Sequence, residues 1–398
     1  MNQADPVRKR QVFYLPGYDP MPARHYREMY RREGAQQAAI SGYGLEMHAA
    51  GEAGRYAWQV TGHFGDETVV TEVECLTWND IVQSSMQASI PATYWLMLRT
   101  LWLYLRTGAL FALIRLRPAP MLAAVYPVAM LSGQLALGLL ALTLVVWAGA
   151  LLGAPWLGWP LGLAALWGVQ VAFKRYDNRF YAYYLLYVYA FSAWHAGGYP
   201  APLRARLEAF KARIAQALQE DNGEVLVVGH SNGVHLGVEL LAEMAREGRL
   251  EGRTPLSFLS LGHVVPMVSY LPAATPLRRS LHELGQSKRV FWVDVTAPGD
   301  GACFALCDPV AVSGVGAGPI VLSAAFRQTL SPEKFARQKN AFFQQHFQYL
   351  HAFDRPGIYD YFAITAGPLT LEARFGAQLP SPSSTTRCFS KYTDMADV

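Results

Sequence analysis

Ser231 stands in Gly229-His230-Ser231-Asn232-Gly233, a G-x-S-x-G pentapeptide, and a serine in that setting can serve as a nucleophile when a base lies beside it. The flanking residues give the pentapeptide its meaning. Val225-Leu226-Val227-Val228, directly before it, has the apolar, β-branched make-up of a central parallel strand. After it, Val234, Val238 and Leu241 recur at helical spacing, and Leu236 and Leu240 add a second apolar row. A strand that turns sharply into a helix crowds its own backbone, which the two glycines relieve. The turn lifts the hydroxyl out of the sheet, and the helix N-terminus adds partial positive charge and unpaired N–H groups. Other motifs fail. His282-Glu283 lacks the second histidine of a zinc-protease helix, no P-loop occurs, and Gly314-x-Gly316-x-Gly318 departs from dinucleotide-binding spacing and reads as a loop. Cys75, Cys303, Cys307 and Cys388 are too sparse and irregular for a disulfide framework, and Cys303-x3-Cys307 lacks the companions of a zinc site, so they read as free thiols. Neither a metal nor an organic cofactor is implied.

Strand, Gly-His-Ser-x-Gly and helix together resemble the nucleophile elbow of the α/β-hydrolase superfamily of serine hydrolases, lipases and esterases among them. The resemblance extends over about residues 11–76 and 200–365. It implies an oxyanion loop after an early strand, then an acid and a histidine later in the chain. For the loop, Val12-Phe13-Tyr14-Leu15-Pro16-Gly17-Tyr18-Asp19-Pro20 sets a tight turn after a buried strand. It is not the His-Gly-Gly form of many lipases, which leaves open whether Gly17 or Tyr18 donates alongside Asn232; such a donor is typically worth about 3–4 kcal/mol. For the acid, the late strand Val290–Val295 breaks at Pro298-Gly299-Asp300-Gly301, which favours Asp300 over Asp294, with Asp308 a third option. For the base, His346 and His351 both follow the acid; His346 is preferred because Phe342, Phe343 and Phe347 shield it. Its segment reads as helix, whereas the family's histidine usually lies in a loop. His230 reads as structural.

The elements that must position these groups share the chain with a segment of another kind. Of 398 residues 52% are apolar and only 16% charged, against roughly 25% in ordinary soluble domains. The deficit is concentrated: the 56 residues Pro118–Phe173 contain no Asp, Glu, Lys or Arg. That is room for two membrane-spanning helices of about 20 residues. A break at Gly153–Pro160, with Trp156 and Trp159, divides it into Ala123–Leu152 and Leu157–Phe173. Arg99, Arg106, Arg115 and Arg117 precede it and Lys174, Arg175 and Arg179 follow it, while the connecting turn has no charge. The positive-inside tendency therefore puts both flanking regions in the cytoplasm. The net charge of +4 reflects this collar, and no nucleic-acid motif accompanies it.

Before the hairpin, Tyr94–Leu116 reads as a basic helix with Trp95, Trp102 and Tyr104 suited to the headgroup layer; after it, Tyr181–Trp194 is an aromatic run. Expected strands are Gln11–Leu15, Ser41–Ala49, Tyr56–Phe64, Thr68–Leu76, Glu224–Val228, Leu256–Leu261 and Arg289–Val295; expected helices include Ala23–Ala39, Leu203–Leu218 and Val234–Arg246. Met1–Pro6 leads into a basic patch without the pattern of a cleavable leader. The expected organisation is an α/β-hydrolase-like, mostly parallel sheet flanked by helices, with an inserted two-helix transmembrane hairpin. Residues 1–92 and 200–375 supply the sheet, 93–199 the membrane insertion, and 376–398, with Pro-Ser-Pro-Ser-Ser-Thr-Thr, a disordered tail. The expected activity is cleavage of a lipid or long-chain acyl ester at the bilayer, through an acyl-enzyme on Ser231 with His346 and Asp300. A membrane acyltransferase using the same triad, or a scaffold with a vestigial site, are the alternatives.

Overall fold

The computed structural model describes residues 6–50, 55–193, 196–338 and 341–396; Met1–Asp5 and Trp194 of the segments singled out above lie outside them. Strands β1 (Lys9–Leu15), β2 (Gly44–Ala50), β3 (Ala57–Phe64), β4 (Glu67–Cys75), β5 (Glu224–His230), β6 (Leu256–Leu261), β7 (Val290–Thr296) and β8 (Ile320–Ser323) form one sheet. Their order is β2-β3-β4-β1-β5-β6-β7-β8. From β4 across to β8 neighbours run parallel, while β2, β3 and β4 form an antiparallel meander at one edge. The chain is thus α/β with a mostly parallel sheet.

β5 shows why its sequence is apolar without alternation. Val225 and Val227 enter one core, with Phe13, Leu15 and Phe258; Leu226 and Val228 enter the other, with Val12, Leu259 and Val293. Successive side chains point to opposite faces, and here both faces are covered.

The helices up to the elbow are α1 (Ala23–Ser41), α2 (Asn79–Ser85), α3 (Ile90–Arg106), α4 (Ala109–Leu116), α5 (Pro118–Leu151), α6 (Pro155–Arg175), α7 (Asp177–Phe180), α8 (Ala182–Ser192), α9 (Ala201–Gln219) and α10 (Gly233–Arg246). Helices α3 to α8 all fall between β4 and β5, so the apolar segment is an excursion from a sheet that closes through the β1–β5 pairing. Tyr94–Leu116, expected as one helix, is two: α3 and α4 meet at 75°, turning at Gly108 with φ 73°.

Helices α5 and α6 are each long and apolar enough to cross a membrane. Leu140, Leu144, Trp147, Leu151 and Trp159 face outward, an arrangement suited to lipid. Between the two helices contact is close: a Cβ on Gly149 would stand 2.9 Å from the Cα of Gly158. Small residues of this kind let membrane helices approach where no hydrophobic force joins them. At 34 residues α5 is about 51 Å long, well beyond a hydrocarbon core of about 30 Å.

The tail departs from expectation. From Ser381 on, the tail returns to the body: Ser381 N–H donates to the Val321 carbonyl (2.8 Å), Thr385 pairs with Cys307, and its N–H donates to the Leu306 carbonyl (2.8 Å). Arg278, fully buried, donates to the Asp394 carbonyl (2.8 Å) and carboxylate (3.2 Å). Polar composition suggested disorder, but the strap is held by its backbone, by the Arg278–Asp394 ion pair and by Phe389 and Met395, which pack against the core.

Candidate active site

The elbow is built by close contact. Ser231 follows β5 directly and has φ 56°, in the left-handed region that a residue with a Cβ seldom adopts, at a cost of about 1–3 kcal/mol. It is held there by its N–H on the Leu261 carbonyl (2.9 Å) and by the Val234 N–H on its own carbonyl (3.1 Å). A Cβ on Gly233 would lie 2.2 Å from the Leu15 carbonyl oxygen, so only glycine lets the first turn of α10 pass β1. The positive end of α10 begins one residue past Asn232.

Asp300 and His346 meet behind this turn. His346 Nδ1 donates to Asp300 Oδ2 at 2.8 Å, and both residues are buried. The Tyr349 hydroxyl donates to the same oxygen at 3.0 Å, and the Ala302 N–H to Oδ1 at 2.9 Å. Burial by itself would raise the Asp300 carboxyl; the charge and hydrogen bond of His346, with the Ala302 N–H, outweigh it and hold the carboxyl below its ordinary range. With Nδ1 donating, the neutral ring keeps its lone pair on Nε2, the tautomer a general base requires.

Ser231, His346, Gly17, Tyr18 and Asn232 line one cavity. Gly17 abuts the serine: a Cβ there would lie 2.9 Å from the Ser231 Cβ. Its loop is pinned from outside, because Trp78 Nε1 donates to the Pro16 carbonyl (3.0 Å) and the Tyr184 hydroxyl to the Tyr18 carbonyl (2.9 Å). Asp19 accepts from Tyr26 (2.7 Å) and from the Met21 N–H (3.0 Å). The N–H groups of Tyr18 and Asn232 make no hydrogen bond to another described residue. They are free to serve an oxyanion.

Two histidines close to the nucleophile, His230 within the motif and His235 on α10, brace the site. His230 Nε2 donates to the His346 carbonyl at 2.9 Å, and the two rings lie 4.8 Å apart. Burial, aided by His346, lowers the His230 imidazole to about 3, so it stays neutral. The Asn232 amide is held at Nδ2 by Ser192 Oγ (3.1 Å) and His235 Nε2 (3.3 Å), and Tyr199 holds the other His235 nitrogen (2.6 Å).

The alternatives are placed elsewhere. His351 Nδ1 donates to the Phe347 carbonyl (2.7 Å) and faces a separate cleft beside α1. Asp294 accepts from Ser260 (2.6 Å), and Asp308 accepts the N–H groups of Val310, Ala311 and Gly318. Among the described residues Glu208, Glu243 and Glu247 cluster closely enough to share a cation, and the Lys211 ammonium is that cation, at 2.5, 3.0 and 2.7 Å. All four cysteines are free thiols. Tyr349 and the Ser192–His235–Tyr199 brace were not anticipated. The one available signal for Tyr349 was its place three residues after His346, on the same turn.

No protein-family model, curated protein or solved structure matches this chain.

Proposed function

We propose that this protein is a membrane-anchored serine hydrolase that cleaves a lipid or long-chain acyl ester through an acyl-enzyme. The observation that carries the reading is the Asp300–His346 pair, whose imidazole lines the same cavity as Ser231 and whose Nε2 has no hydrogen-bond partner among the described residues. In the proposed reaction Ser231 Oγ attacks the ester carbonyl carbon while His346 Nε2 takes its proton. The carbonyl electrons move to oxygen, which the N–H of Asn232 and of the Gly17–Tyr18 turn stabilise. Collapse expels the alcohol, protonated by His346. Water then repeats the sequence on the acyl-enzyme, releasing the acid and restoring the serine.

The hairpin supports the lipid part of the reading. Helices α5 and α6 fit a bilayer, and a substrate already dissolved there reaches the site by lateral diffusion. Their basic outer flanks favour a cytoplasmic catalytic domain. A fluorophosphonate should label wild-type protein and leave Ser231→Ala unlabelled; equal labelling of both removes the serine from the mechanism. An acyltransferase would share the acyl-enzyme and differ only in the acceptor, so product analysis with and without added alcohols separates the two.

A further inference from the structure

Three cavities meet at Phe343: the pocket around Ser231, a cleft beside α1 and a groove beside α5. The Ser231 pocket, at about 60 Å³, is the smallest of the three. A long substrate must therefore continue into a neighbour, and the neighbours differ in how many charged groups line them. The cleft, of about 350 Å³, carries His25, Glu28, Arg32 and His351. The groove, of about 680 Å³, is walled on one side by Ala119, Leu122, Ala123 and Tyr126 and on the other by Phe342 and Phe343, with Arg179 the one charged residue of its lining.

The α5 wall is a single helix face, spaced i, i+3, i+4 and i+7 over its first two turns. Those turns lie outside the part of α5 that pairs with α6. The pairing reaches Gln134, whose carbonyl accepts from Gln170 Nε2 at 2.9 Å, and α5 continues from there back to Pro118 beside α8. Since α5 exceeds the hydrocarbon thickness, a bilayer that covers the part paired with α6 leaves this end at its boundary. The groove therefore runs from the membrane boundary to the helix Phe342–Phe347 that carries His346.

We infer that this groove is the acyl-chain site of a bilayer-resident ester, and that the cleft beside α1 receives the polar alcohol portion. The inference rests on the Ser231 reading for its orientation, but the occupancy of the groove can be read without turnover. Both neighbours adjoin the Ser231 pocket, the groove through Leu185, Phe342 and Phe343, but of the two only the groove is lined by the apolar helix α5. The charged cleft would desolvate His25, Glu28 and Arg32 for no return if a chain lay there.

The experiment uses full-length protein in zwitterionic nanodiscs with a long-chain 4-nitrophenyl ester bearing a terminal diazirine. In Ser231→Ala, photolysis should mark the Ala341–Gln344 segment, and Ala123→Trp should remove that mark. Marking of Asp19–Arg32 instead overturns the assignment. With the serine intact, Ala123→Trp or Ala119→Trp should lower kcat/KM for a sixteen-carbon ester roughly tenfold or more while a two-carbon ester is unaffected. Met21→Trp, in the cleft, should leave chain-length preference alone; the opposite pattern overturns the assignment as well. Groove marking in a protein that hydrolyses no ester sinks the hydrolase reading and leaves the groove standing.

Discussion

His230 donates its Nε2–H to the main-chain carbonyl of His346 at 2.9 Å, so the residue before the candidate nucleophile grips the chain that carries the candidate base. The two segments are 116 positions apart, and this bond ties their spacing to the elbow itself. Removing it leaves a buried carbonyl unpaired, a loss of about 1–3 kcal/mol. His230→Leu should lower kcat for a short ester by roughly tenfold to a hundredfold with little change in KM, and His230→Gln, which keeps a donor, should recover most of it. Kinetics normalised to the fluorophosphonate-labelled fraction check this. A purely structural histidine would reduce that fraction and leave kcat per labelled site unchanged.

Asp300 is expected to act through His346. Asp300→Asn can present its amide N–H to Nδ1, which would force the ring proton onto Nε2 and block proton uptake from Ser231. A loss of about 10⁴-fold in kcat is expected with the fold retained. The acid limb follows from the lowered carboxyl. Its stabilising contribution is complete above the unfolded value of about 3.9 and is lost as pH falls through the lower folded value. Thermal unfolding between pH 5 and 2 should therefore fall more steeply for wild type than for Asp300→Asn. Parallel curves would show that the carboxylate is not stabilised in the folded state.

Much of this site could be read from local sequence, and the reasons differ residue by residue. Strand β6 matches its expected span Leu256–Leu261, and the α5–α6 break falls within the Gly-Pro-Trp cluster, because short-range pattern alone decides both. Asp300 was distinguishable from Asp294 because only Asp300 lies beyond its strand end. Strand β8 was missed: four residues after a glycine-rich loop carry no periodicity, and only its pairing with β7 defines it. The helix α1 runs to Ser41 and is stopped by Gly42 in the left-handed region, so β2 begins at Gly44 rather than Ser41. His230 and Tyr349 gain their partners only when chain segments far apart meet. No spacing within one segment could reveal that.

Glu239, on α10, supplies a second pH signature of opposite sense. Burial, reinforced by Glu243 and opposed by Arg204 and Arg246, raises its carboxyl to about 8. The unfolded value is about 4.3, so folding favours the protonated form, and stability is lost as pH rises from about 4.3 through 8. Glu239→Gln removes the titration. Its melting temperature should gain on wild type steadily from pH 5 to 8 and no further above that. A constant difference across the range would show that Glu239 is ionised throughout.

The orientation of the hairpin is testable at positions chosen for space. Arg99, Arg106, Arg115 and Arg117 lie before α5, Lys174 and Arg175 end α6, and the Leu152–Ala154 turn between them is uncharged. Cationic flanks are retained on the cytoplasmic side, so the turn should emerge on the far side. Gly158 is unsuitable for a probe, because a side chain there would meet the Val146 backbone at 3.1 Å. Leu152 is 83% exposed and serves instead; Asp221, exposed beyond α9, reports on the catalytic domain. In a Cys388→Ser background, Leu152→Cys should react with an impermeant maleimide applied to intact cells, and Asp221→Cys only after permeabilisation. Labelling of Asp221→Cys alone from outside would reverse the orientation. Labelling of both from one side would mean that α5 and α6 do not cross the bilayer, and release of the protein by alkaline carbonate would remove the anchor altogether.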